Sequence, residues 1–184
     1  MNRKSFLIAL MMLLPFVLFA QRTAKGQFFA DVEGVFSFTS VGAGITFGQY
    51  VSPGYWSASI LGVNRVADMV TSSGQSSDLD YLHVGASGNF MYRFISTDSR
   101  ALSFYAGGGL FLGAEVPDPF GKQPNGGVLP FGTRFLYELF PELAMEVFPI
   151  NRVAFVVKFR TPVNFSSSVG HFNYELGAAL RLNF

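Results

Sequence analysis

Two histidines are the natural places to look for acid–base chemistry in this 184-residue chain. His171 follows Ser166, Ser167 and Ser168, and His83 follows Asp80. A hydrolytic site built from such residues needs a base within hydrogen-bond reach of a nucleophile, and a third group to orient the base. The two histidines belong to strands that fall on opposite sides of the molecule in the reading below, so they cannot easily collaborate. Asp68, Asp78 and Asp118 lack the spacing of a calcium-binding loop and read as solvated loop acids. Gly107-Gly108-Gly109 follows a strand but opens no helix, which argues against a phosphate cradle and for close strand packing or a bend. Asn164-Phe165-Ser166 has the form of a glycosylation triplet and carries little weight. We therefore expect no catalytic residue, no cofactor, no metal ligand and no small-molecule substrate.

Composition narrows the field further. Cysteine is absent, which removes disulfides, zinc thiolate sites and a lipid-anchored amino-terminal cysteine. The formal net charge is +1 with no basic run, so nothing marks a surface for direct contact with nucleic acid.

The remaining charged residues obey a period of two. From Gly170 to Phe184 the apolar positions Phe172, Tyr174, Leu176, Ala178, Leu180, Leu182 and Phe184 alternate with His171, Asn173, Glu175, Gly177, Ala179, Arg181 and Asn183. A strand with one face in lipid and the other in a polar lumen needs such a pattern. The terminal phenylalanine also resembles the carboxy-terminal signal by which outer-membrane barrels are recognised for insertion.

The same alternation recurs. Residues 27–36 set Phe28, Ala30, Val32 and Phe36 against Gln27, Asp31 and Glu33; residues 41–51 set Val41, Ala43, Ile45 and Phe47 against Thr46 and glycines. Residues 55–64 place Trp56, Ala58 and Ile60 outward, and residues 80–95 set Leu82, Val84, Phe90, Tyr92 and Phe94 against His83, Ser87, Asn89 and Arg93. Residues 101–114 carry Leu102, Phe104, Leu110 and Leu112 on one face. Residues 136–148 put Leu139, Leu143, Met145 and Val147 outward and Glu138, Glu142 and Glu146 inward, with Pro141 implying a bulge or a later start. Residues 153–161 put Lys158 and Arg160 inward.

With the terminal segment these make eight strands, and the fold class is an all-β, antiparallel, up-and-down outer-membrane β-barrel. Connections at 52–54, 96–100 and 149–151 are tight, whereas 65–79 and 115–135 are long and polar, as short periplasmic turns and longer outer loops require. Tyr50, Tyr55 and Trp56 flank a periplasmic turn and read as interface anchors.

An eight-stranded bore is just wide enough to be filled by side chains. Inward acids at Asp31, Glu33, Glu142, Glu146 and Glu175 face inward bases at Arg93, Lys158, Arg160 and Arg181. Unpaired buried charge is costly, so the expectation is cross-strand pairing and structural neutralisation rather than a proton relay or an open channel. A turn at 149–151 would set Glu142 opposite Lys158, and closure of the first strand on the last would bring Arg181 to Asp31 or Glu33.

At the amino terminus, Asn2, Arg3 and Lys4 precede an apolar run from Phe6 to Phe19 that ends at Ala20. That layout predicts a signal peptide over residues 1–20 and a barrel domain over 21–184. The run is short of the ~20 residues that a membrane-crossing helix needs, and Pro15 interrupts it.

The segment from Asn151 onward, with Ser167, Ser168, Val169, Gly170, His171, Phe172, Leu176 and Gly177, resembles the tail of the TraO family of conjugal transfer proteins from conjugative transposons. Ala20-Gln21-Arg22 and Gly26-Gln27 are similar to the family's amino-terminal region. The resemblance implies a non-enzymatic outer-membrane component of an apparatus that moves DNA between cells. Its partners would be outer-membrane lipid and other transfer proteins, met through the periplasmic turns or the termini. It supplies no catalytic residue and no cofactor. The alternative is a stand-alone small barrel for adhesion or envelope integrity, binding through its outer loops.

Overall fold

A computed structural model describes residues 25–70, 76–117, 132–150, 152–167 and 172–184, with the side chains of 67–70 and 76–79 outside that description. The expected signal peptide, Asp118, Ser168 and His171 lie outside the described residues, as do the side chains of Asp68 and Asp78.

Every described element is a strand: β1 (Phe28–Phe36), β2 (Ser40–Val51), β3 (Gly54–Val70), β4 (Ser76–Ser96), β5 (Leu102–Pro117), β6 (Arg134–Ile150), β7 (Val153–Arg160), the two-residue β8 (Val163–Asn164) and β9 (Glu175–Asn183). Each pairs antiparallel with its neighbours, β1 pairs with β9, and β5 pairs with β6, so eight long strands close on themselves and leave no edge. The expected closed barrel of eight strands is therefore the observed architecture.

Alternation dictates this outcome. Along β9 the burial pattern switches at every residue, with Leu176, Leu180 and Leu182 outward and Glu175, Arg181 and Asn183 inward. Val32, Ile45, Ile60, Leu139, Phe155 and their neighbours continue the outward face around the wall. An apolar belt of this extent is the mark of a surface that meets membrane rather than water.

Four expectations need correction, three in the strands and their connections and one in the bore. Residues 65–70 and 76–79 are strand and not loop, because β3 and β4 continue as a paired ribbon to Val70↔Ser76. Similarly, β5 runs on to Pro117 and β6 starts at Arg134. The ribbon's length of 17 and 21 residues exceeds the ~9–11 that cross a bilayer, so it projects beyond the wall at the end opposite the tight turns.

Pro141 causes neither a bulge nor a late start: β6 pairs with β5 without interruption from Leu102↔Val147 to Glu115↔Arg134. The missing donor is absorbed on the other side, where β7 stops at Arg160 and Thr161 donates to the Pro141 carbonyl (3.2 Å). Beyond Pro162 the ladder resumes as β8 in the same register, Leu139↔Val163. Finally, Glu142 lies opposite Arg160 rather than Lys158. Ile150↔Val153 closes the turn, a register irregularity between Val147 and Ile150 takes up one residue, and the ladder beyond it is centred one residue later than expected, which moves each cross-strand partner by two.

The bore is packed, and not only with polar groups. Phe29, Tyr50, Tyr55, Met91 and Tyr105 fill the tight-turn half, and Val35, Leu61, Val63, Phe111, Leu136 and Phe140 fill the other. Tyr50 and Tyr55 are thus lumen residues, 3 % and 1 % exposed, and only Trp56 of the expected anchors faces outward. The parity of the strand puts Tyr55 and Trp56 on opposite faces, so both could not anchor the interface.

Candidate functional site in the barrel lumen

Between these apolar clusters the inward-facing charges meet. Arg181 on β9 grips Asp31, its direct partner on β1, through Nε–Oδ1 and Nη2–Oδ2, both 2.8 Å. Its Nη1 also reaches Glu146 Oε1 at 2.9 Å and the Tyr50 hydroxyl at 3.1 Å. Tyr50 donates to Glu146 Oε1, and Tyr105 donates to Glu146 Oε2 (2.7 Å). The guanidinium plane lies 3.7 Å from the Phe29 ring centroid and 4.7 Å from that of Tyr55. An arginine suits this place because its fixed fork serves two carboxylates while its face stacks on aromatic rings.

The network continues across the seam. Lys158 on β7 reaches over β9 to Glu33 Oε2 on β1 (2.6 Å), and it lies 3.8 Å from Asp31. Room for that reach comes from Gly177, where a Cβ would sit 2.9 Å from Glu33 Oε1 and 3.3 Å from Lys158 Cβ. Arg160 pairs with Glu33 and with Glu142 Oε2 (2.6 Å). Asn89 donates to Glu142 (3.4 Å) and accepts from Ser57. The expected Arg181–Asp31 contact and the cross-strand pairing are both observed.

A second cluster lies at the ribbon end. Arg65 pairs with Glu175 (2.6 Å) and Glu138 (3.3 Å). His83 sits between Glu138 Oε1 (2.9 Å from Nδ1) and Glu115 Oε2 (3.1 Å from Nε2), an arrangement complete when both ring nitrogens carry hydrogen. Ser167 donates to the same Glu115 oxygen (2.6 Å). Here a carboxylate lies between the serine and the imidazole, whereas nucleophilic catalysis places the base next to the nucleophile. Ser166 is occupied accepting from the Tyr137 amide (3.1 Å).

Reading the sequence missed Arg65 and Glu115 as lumen residues because both lie beyond the expected strand ends. Counting in twos from Val63 to Arg65 and from Gly113 to Glu115 would have found them. Arg93, the remaining expected inward charge, is half-buried and borders a pocket at the tight-turn mouth. Asn164 is buried, so the triplet it begins does not present its side chain at the surface.

What this constellation can do is hold the wall shut. Among the described residues, no group of three or more His, Asp or Glu is placed to hold a metal ion. The enclosed void bordered by Arg65, His83, Glu138, Arg160 and Glu175 has a volume of about 10 Å³, roughly the space for one water.

Comparison with known proteins agrees with this geometry. No curated protein sequence matches the chain. The amino-terminal barrel domain of Pseudomonas aeruginosa OprF is similar, with 12 % identity and a TM-score of 0.53 over 87 % of this chain and 98 % of that one. Neisserial surface protein A is similar too, with 17 % identity and a TM-score of 0.51 over 86 % of this chain and 95 % of that one. At such identities the likeness speaks for the fold alone. The sequence model of the family described as conjugative transposon protein TraO matches residues 42–184, and the chain accordingly belongs to the TraO family.

Proposed function

We propose that this protein is an exported, non-enzymatic component of a conjugative transfer apparatus, inserted in the outer membrane after removal of residues 1–20. The observation that carries the reading is the family match over residues 42–184, joined to a lumen sealed by paired charges. A sealed bore cannot pass a DNA strand, so the barrel's contribution is a fixed station in the membrane whose turns, termini and ribbon are available to other transfer proteins. DNA itself is not a ligand in this reading, because phosphate binding depends on a track of cations that the chain lacks.

Deleting the gene and measuring transfer frequency tests the role. Transfer should fall and should return on complementation; an unchanged frequency sinks the reading. The projecting β3–β4 ribbon favours one competitor, a stand-alone barrel that binds through its outer surface. That alternative predicts a locus without neighbouring transfer genes and a cell-surface phenotype independent of conjugation. Export is tested by amino-terminal sequencing of the membrane-inserted protein, which should begin at Gln21.

A further inference from the structure

The connection between β1 and β2 raises one ring clear of the wall. Phe38 is 109 % exposed, against 68 % for Phe184, the next large apolar side chain among the described residues. Hydrogen bonds fix the base of that ring. Ser37 N–H donates to Ser40 O (2.8 Å), Thr39 N–H to Ser37 Oγ (3.1 Å), Ser40 Oγ to Ser37 Oγ (2.7 Å) and Val66 N–H to Thr39 O (2.8 Å). A ring presented on a stiff turn gives up little conformational freedom when it is covered.

Parity places the ring on the lipid-facing side. Phe28, Val32 and Phe36 face outward along β1, and Phe38 continues that row two positions beyond. Phe28 to Phe38 covers the ~9–11 residues with which a tilted strand crosses a bilayer. The ring therefore stands where hydrocarbon meets headgroups, at the end opposite the tight turns.

Phe38 divides two hollows of different chemistry. On the β7 and β9 side, Phe36, Phe38, Phe159, Tyr174 and Leu176 border one of about 360 Å³, roughly the liquid volume of twelve waters. Its lining is apolar, since Glu175, which also borders it, is turned to Arg65 in the bore. On the β2 and β3 side, Ser37, Thr39, Ser40 and Asn64 border a second hollow of about 420 Å³. None of the described residues around this one is charged.

Asn64 is the informative member. It lies on the outward face between Val41 and Leu82, yet its Oδ1 is buried and accepts no hydrogen bond. An amide oxygen kept from water without a donor is costly, and a ligand hydroxyl donating to it removes that cost.

We propose that this rim seats one glycolipid of the outer leaflet, with an acyl chain in the first hollow, its uncharged sugar in the second and the Phe38 ring between them. The wall decides the class of occupant. Both hollows continue the lipid-facing belt through Phe36, Val41 and Leu176, so a soluble protein would first have to displace lipid. An anionic headgroup finds no cation among the described residues of the second hollow, and phosphatidylcholine has no hydrogen to donate to Asn64. Sugar hydroxyls both donate and accept, which suits Asn64 Oδ1 and the Thr39 hydroxyl alike.

The test uses the full protein in nanodiscs of phosphatidylcholine that contain a minor fraction of monoglucosyl diacylglycerol. Native mass spectrometry of the released barrel should show one glucolipid retained, well above its share of the bilayer. Phe38→Ala should lower that retention by about tenfold, as loss of an aromatic anchor does. Asn64→Leu should abolish the preference for glucolipid over phosphatidylcholine while a lipid stays bound through its chain. Phe155→Ala, an outward ring at the tight-turn end of β7, should change neither. Heat-modifiable gel migration verifies that the variants are folded. Should Asn64→Leu fail to fold, Thr39→Val on the exposed turn carries the headgroup test by a smaller loss of preference. Adducts in proportion to bilayer composition, or retention unchanged in Phe38→Ala, overturn the proposal. So does stronger retention of phosphatidylglycerol offered at the same fraction, or a second barrel held in place of lipid. Because lipid retention is read on purified protein, its failure leaves the transfer role standing, and an unchanged transfer frequency leaves the lipid site standing.

Discussion

The Arg181 guanidinium holds together groups from β9, β1, β2 and β6, through Asp31, Tyr50 and Glu146, at 1 % exposure. Its value is best seen from what its loss leaves behind. Arg181→Ala would strand two buried carboxylates and remove the cation from the Phe29 and Tyr55 rings. Breaking such a pair by removing one partner costs about 3–5 kcal/mol, more than the pair itself contributes over an apolar replacement. Urea unfolding of the barrel in lipid vesicles should therefore show a large drop for Arg181→Ala. Asp31→Asn added to it should cost less than the sum of the two single changes, since one of the two stranded charges is then gone. Additive losses would mean that the pair is not coupled. The contact itself was legible in the sequence, because inward parity and closure of the first strand on the last leave Asp31 and Glu33 as the acids within reach. The cation-stacked aromatic cage was not, because parity says that Tyr50 and Phe29 face inward but not that they surround one guanidinium.

At the scale of the element, strand identity was readable from alternation and strand ends were not. Polar residues such as Arg65, Asp68 and Glu115 look like loop, yet a strand that continues beyond the bilayer no longer needs an apolar outward face. Proline gave a similarly incomplete signal. Its missing donor is certain from the sequence, but which neighbouring strand tolerates the gap depends on which side of β6 the Pro141 nitrogen faces. Glycine at 177 shows how an element accommodates the network: β9 passes between Lys158 and Glu33, and only a hydrogen fits where their side chains cross. Gly177→Ala places a methyl within 2.9 Å of Glu33 Oε1, on a carboxylate held from two sides by Arg160 at that oxygen and Lys158 at the other. Overpacking of this kind costs about 1–3 kcal/mol, and the same vesicle unfolding measurement should register it. Equal stability of variant and parent would show that the crossing is looser than its distances.

For the whole molecule the decisive property is that bore and wall are built from one alternating sequence, so sealing the lumen and facing the membrane are consequences of the same pattern. Among the described residues, seven buried carboxylates (Asp31, Glu33, Glu115, Glu138, Glu142, Glu146 and Glu175) meet four buried cations (Arg65, Lys158, Arg160 and Arg181) and His83. They form two hydrogen-bonded clusters that adjoin where Arg160 on β7 lies across from Glu175 on β9. An ion entering the bore meets apolar side chains and charges already committed to one another, around a void of about 10 Å³. To pass, it would have to strip its hydration shell and break pairs whose separated charges are costly to leave alone in the interior. The purified barrel in planar bilayers should accordingly show no stable unitary conductance at either polarity. The same preparation should migrate in its compact form on gels before boiling, which separates a sealed barrel from one that failed to insert. Reproducible conductance steps from folded protein would contradict the sealed lumen, and with it the view that this chain serves conjugation as a station in the membrane instead of as a conduit.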